Sequence, residues 1–110
     1  MEITEELIIT ELVVNGGNAR GLAIEAIKAA RNRDFDRAKE KLTECEEALT
    51  KAHQVHTGIL QAEARERRGG EVSLLMVHAQ DHLMNAITVR ELAVQMIEMY
   101  KVIYMKAGET

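Results

Sequence analysis

Apolar residues recur at three- and four-residue steps along most of the chain, and this helical period breaks at only two places. Around Asn32-Arg33-Asp34 the apolar pattern stops, and Asp34 stands where it can cap a helix that begins at Phe35. Around Arg67-Arg68-Gly69-Gly70 the sequence turns charged and then flexible, and Ser73 is placed to cap a last helix. The pattern predicts three helices, roughly residues 4–31, 35–66 and 73–106, joined by short links that make consecutive helices antiparallel.

Each helix carries a different pattern. In the second, Phe35, Ala38, Leu42, Cys45, Leu49, Ala52, His56, Ile59 and Glu63 step along one face like a coiled-coil seam, which places Cys45 in packing rather than in chemistry. In the third, Leu74, Leu75, Met76, Val77, Leu83, Met84, Ile87, Val89, Leu92, Val94, Met96, Ile97, Val102, Ile103 and Met105 cover more than one face. A helix so apolar all round must be covered on several sides, and two neighbours cannot do that alone, so self-association through this helix is expected. Its methionines then read as adaptable interface packing. In the first, Asn15-Gly16-Gly17-Asn18 interrupts good helix formers, at a cost of about 0.5–1 kcal/mol per interior glycine. The apolar pattern resumes at once with Ala19, Leu22 and Ala23. A continuous or gently bent helix follows, with the glycines available for close approach of another backbone.

Composition agrees with an all-α fold in a single domain over residues 1–110. Proline is absent, aromatic residues are 3% of the chain, and helix formers are abundant. A formal net charge of −4 argues against a general nucleic-acid binder, which needs a concentrated basic face. The basic cluster Arg65, Arg67, Arg68 is interleaved with Glu63, Glu66 and Glu71 and reads as a solvated turn. A lone cysteine, no signal-like N-terminal segment and no apolar run of membrane-spanning length lead to the expectation of a cytoplasmic protein.

The candidate chemistry sits in Val77-His78-Ala79-Gln80-Asp81-His82-Leu83-Met84. On a helix His82 lies about 40° round from His78 and Asp81 about 60° to the other side, so the three heads are expected to reach one ligand. With Ser73 as cap, His78 falls in the second turn, where the positive end of the helix favours an anion. An imidazole nitrogen is a competent nucleophile, and phosphoryl transfer asks chiefly for alignment and hydrogen-bond donors, which His82 and Gln80 could supply. Two other readings stand beside a transient phosphohistidine. A metal could be held by His78, Asp81 and His82 within one chain, although the HExxH pattern is absent. Alternatively the cluster is hydrogen-bonded structure at an oligomer interface.

The octapeptide resembles the active-site signature of the lactose/cellobiose-type IIA components of the bacterial sugar phosphotransferase system. Gly17-Asn18-Ala19-Arg20, Asp34-Phe35, Ala52-His53 and Thr57 also stand where that family has related residues. The resemblance implies a homotrimer of three-helix subunits. It implies a phosphoryl group taken from the histidine phosphocarrier protein and passed to a cysteine of a IIB component, which works with a membrane IIC component. By motif position His78 is the acceptor, His82 and Gln80 orient or hydrogen-bond the phosphoryl group, and Asp81 lies near the three-fold axis. There three carboxylates would share one divalent ion per trimer, best suited to magnesium. Docking of two partners on one patch implies an apolar collar around a recessed His78. His53 fits the family, whereas His56 stands where glutamine is expected and reads as a packed histidine. The sugar is expected to be a β-linked disaccharide such as cellobiose, chitobiose or lactose.

Overall fold

A computed structural model describes residues 5–66 and 73–108 as three helices, α1 (Glu5–Arg31), α2 (Phe35–Glu66) and α3 (Leu74–Lys106). The expected boundaries hold wherever the residues are described; the link at 67–72, with Arg67, Arg68 and Glu71 of the charge cluster, lies outside them. α1 is continuous through Gly16-Gly17, as the resumption of its apolar pattern requires. It packs along both α2 and α3, whereas α2 and α3 meet over a shorter stretch. The body measures 58 × 24 × 21 Å, in keeping with helices of 27 to 33 residues laid side by side.

Both predicted caps form. The Asp34 carboxylate accepts from the Arg37 amide at 3.1 Å, and the Ser73 hydroxyl accepts from the Met76 amide at 3.1 Å. Ser73 also donates to the Glu5 carboxylate at 2.7 Å, tying the start of α3 to the start of α1. α1 ends in a Schellman turn: the amide of Arg33 donates to the Ala30 carbonyl and that of Asp34 to the Ala29 carbonyl. Arg33 occupies the left-handed position at φ 66°, where glycine is the usual residue. Its guanidinium stacks 4.4 Å from the Tyr104 ring centroid, and the Tyr104 hydroxyl donates to the Arg31 carbonyl, so the turn is fastened to the end of α3.

Alanine dominates the interior. Ala19, Ala23, Ala26, Ala30, Ala38, Ala52, Ala79, Ala86 and Ala93 are fully buried, while the largest side chains buried to that extent are Leu12, Leu83 and Cys45. Small residues let the helix axes come close but bury little apolar area each. Large apolar side chains are left outside: on α3, Leu74, Leu75, Val77, Met84, Leu92, Met96, Met99, Val102, Ile103 and Met105 are exposed. Most of these are the residues whose excess over one face pointed to self-association.

Candidate phosphoryl-transfer site

The site rests on a packed layer. Leu12 of α1, Ala52 of α2 and Met76, Ala79 and Leu83 of α3 form one buried cluster. The two histidines leave α3 between and beside those anchors. Gly16, buried on α1, faces the main chain of His82 and Leu83. The layer therefore fixes the segment that carries the motif, and the polar side chains project from its edge.

His78 and His82 meet as their spacing requires. Their Nε2 atoms are 3.2 Å apart and their rings stand edge to face, with centroids 4.6 Å apart at 89°. A nitrogen–nitrogen contact of that length needs one hydrogen between the two, so one ring donates and the other offers a lone pair. His82 is half-buried and His78 is exposed. In the single chain, then, His78 is not recessed as the docking argument expected. Its apolar surround is nonetheless present: Leu74 and Leu75, one turn earlier, are 84% and 64% exposed.

The other two polar members part from the histidine pair. Asp81 is exposed and lies toward the outward apolar stripe with Val77 and Met84, away from His82. The three-headed convergence of His78, Asp81 and His82 within one chain does not form, because His82 turns inward to His78 while Asp81 leaves the helix about 100° away from it. Among the described residues no three His, Cys, Asp or Glu side chains are placed to hold a metal ion, which removes the support for a metal centre inside one subunit. Gln80, half-buried, leaves α3 about 200° round from His78, on the opposite flank of the Asp81 stripe. On α2, His53 is exposed and His56 half-buried.

Cys45 lies in the interior with Ala19, Ala48 and Ala86. Burial pushes its thiol pKa up, the neighbouring Glu46 adds to the rise, and Arg90 opposes it. A thiol so placed stays protonated and inert at neutral pH, as its seam position suggested. Arg90 itself forms a 2.6 Å ion pair with Glu46, whose hydrogen bond raises the guanidinium pKa and fastens α3 to α2. Among the described residues no helix is long and apolar enough to cross a membrane.

A three-helix subunit with an exposed histidine, hydrogen-bonded to a second in the early turns of a capped helix, defines a class of helical histidine-bearing proteins. Comparison with known proteins narrows that class. Residues 7–101 match the family described as "PTS system, Lactose/Cellobiose specific IIA subunit", so the chain belongs to the lactose/cellobiose IIA family of the phosphotransferase system. It is 47% identical over 106 residues to the lichenan-specific phosphotransferase enzyme IIA component of Bacillus subtilis (strain 168), covering 94% of this chain and 93% of that protein. It is 41% identical over 96 residues to the N,N'-diacetylchitobiose-specific EIIA component of Escherichia coli (strain K12), covering 87% and 82%.

Solved structures agree. The cellobiose-specific enzyme IIA of Bacillus anthracis superposes with a TM-score of 0.88 at 44% identity, covering 96% of each chain. The IIA(Chitobiose) chain of an Escherichia coli complex with HPr superposes with a TM-score of 0.80 at 37% identity, covering 93% of this chain and 98% of that one.

Proposed function

We propose that this protein is a cytoplasmic phosphocarrier whose His78 accepts a phosphoryl group from the histidine phosphocarrier protein. It then passes that group to a cysteine of a IIB component, which works with a membrane IIC component in taking up a β-linked disaccharide such as cellobiose, chitobiose or lactose. The observation that carries this reading is the exposed imidazole of His78 held at hydrogen-bond distance by the half-buried His82, beside exposed Leu74 and Leu75. The relative solved with HPr supports the donor.

His82 is the positioned donor. While the site is empty, its Nε2 hydrogen is shared with His78. When a phosphorylated partner docks, a phosphoryl oxygen takes over that hydrogen and frees the His78 lone pair for in-line attack. The P–N bond of the donor breaks as the bond to His78 forms. The departing imidazole keeps the electron pair and takes up a proton, and His78 gives up the proton on its other nitrogen. In the second transfer the IIB cysteine gives up its thiol proton and attacks as the thiolate; the P–S bond forms as the P–N bond to His78 breaks, and the departing His78 imidazole keeps the electron pair and takes up that proton, so protons and charge balance in both.

The exposed stripe of α3 is the seam of a homotrimer. Leu74, Val77, Asp81, Met84, Thr88, Leu92, Gln95, Met99 and Val102 follow one another at steps of three and four, the repeat of a coiled coil. Around a three-fold axis the two flanks of the seam face neighbouring copies. His78 lies on one flank and Gln80 on the other, so Gln80 of one copy faces His78 of the next and can donate its amide hydrogens to the phosphoryl group there. Asp81 falls on the axis. Three carboxylates in an apolar seam repel one another unless neutralised, and an all-oxygen donor set fits one hard divalent cation per trimer, best magnesium. Such an ion supplies charge neutralisation to the assembly, and the transfer itself runs through the imidazoles.

The test is reconstitution of phosphate flow from phosphoenolpyruvate through the general enzymes to this protein and on to a IIB component. The parent protein passes label to IIB, and folded His78→Ala does not. Label reaching IIB through His78→Ala would contradict the assignment.

A further inference from the structure

Gly16 is the one helical glycine, among those described, whose missing side chain the fold uses. A Cβ built on it would lie 3.2 Å from both the carbonyl carbon and the carbonyl oxygen of His82 and 3.3 Å from the amide nitrogen of Leu83. These are main-chain atoms inside a helix and cannot swing aside as the tip of a side chain can. The same construction at Gly17, Gly21 and Gly58 meets nothing within 4 Å. Gly16 is buried, so α1 sits directly on the α3 backbone at the residue that meets His78. One turn before Gly16 on α1, Leu12 is buried in one cluster with Ala79 and Leu83 of α3, which holds the two helices together at this level. α1 thereby grips the main chain of His82 from one side, at Gly16.

We propose that Gly16 is a positioning residue for the His78–His82 pair: by admitting α1 to the main chain of His82, it confines the half-buried His82 ring to the orientation in which its Nε2 meets that of His78. The proposal rests on the phosphocarrier reading for its functional consequence and on packing alone for its structural one. Any side chain at residue 16 has to part α1 from α3 by a few tenths of an ångström at His82. The ring then gains room to leave His78, without any change in the residues that perform the transfer.

The experiment compares the parent protein, Gly16→Ala and the control Gly21→Ala at one fixed pH. Nitrogen-15 spectra of the imidazoles and ring-to-ring nuclear Overhauser effects report the pair, and single-turnover phosphorylation by the phosphorylated carrier protein reports the consequence. Gly21→Ala should match the parent in both. Gly16→Ala should keep its helical circular dichroism, lose the His78–His82 ring contact, and slow the maximal transfer rate by roughly three- to tenfold with unchanged carrier half-saturation. Ring spectra of folded Gly16→Ala that coincide with the parent's would overturn the proposal. Should Gly16→Ala fail to fold, ring relaxation in the parent decides: an ordered His82 ring beside a mobile His53 upholds the grip, and equal mobility refutes it. A parent protein with an ordered pair that takes up no phosphate would refute the phosphocarrier reading and leave the role of Gly16 standing.

Discussion

One hydrogen lies between the Nε2 atoms of His78 and His82, and the direction of that hydrogen bond decides what the pair can do. With His82 as donor, the exposed ring holds the lone pair and the half-buried ring holds the hydrogen, an arrangement suited to a nucleophile backed by a fixed donor. Replacing His82 by Ala should leave the helical spectrum unchanged and slow phosphorylation of His78 by roughly ten- to a hundredfold, since one preorganised donor to the moving oxygens is lost. Single-turnover kinetics measure this, and an unchanged rate would assign His82 a packing role only. The meeting of the two rings was legible in the sequence, because residues four apart on a helix are neighbours whatever the tertiary structure. The divergence of Asp81 was not. Its angular offset on the helix is as small as one ligand could bridge, and only packing decides that His82 turns inward while Asp81 joins the outward stripe.

Capping operates on the same segment at the scale of the helix. Ser73 satisfies the Met76 amide and reaches the Glu5 carboxylate, so it fixes both the start of α3 and its register against α1, two turns before His82. Ser73→Ala should destabilise the fold by about 1 kcal/mol through the lost cap. Thermal or denaturant unfolding measures that change, and no loss would mean that water replaces the hydroxyl at no cost. The starts of α2 and α3 were readable because Asp34 and Ser73 interrupt the apolar period in the way caps do. Arg33 was not readable as the left-handed residue that ends α1, since that position usually announces itself by glycine. Its stack on Tyr104, 71 residues later in the chain, offsets the backbone cost, and no local pattern carries that information. Gly16 lies between these cases. The interruption in α1 suggested a close approach, but which backbone approaches, and at which residue, follows only from the way α1 lies on α3.

The alanine-lined bundle leaves many of its large aliphatic side chains exposed, an apolar surface that the proposed trimer would cover. The apolar excess of α3 was legible as soon as its pattern exceeded one face, and the single chain leaves Leu74, Leu92, Ile103 and Met105 of that pattern in solvent. In the proposed trimer each such side chain that becomes fully buried contributes about 1.5–3 kcal/mol per subunit. Leu92→Glu puts three carboxylates into that seam, well away from His78, and should shift the protein from trimer to monomer with its helices retained. Sedimentation equilibrium reads the mass directly against the 12.3 kDa of one chain. A parent protein that sediments as a monomer would remove the seam, and with it the axial role of Asp81 and the placement of Gln80 beside a neighbouring His78.

In the proposed relay the phosphoryl group rests on a ring nitrogen of His78. Phosphorus-31 NMR at mildly alkaline pH, on the protein incubated with phosphoenolpyruvate, enzyme I and the histidine phosphocarrier protein, tests it most directly. A phosphohistidine resonance should appear in the parent protein and be absent from folded His78→Ala. No such resonance in the parent with active upstream proteins, or the same resonance surviving in His78→Ala, would contradict the account.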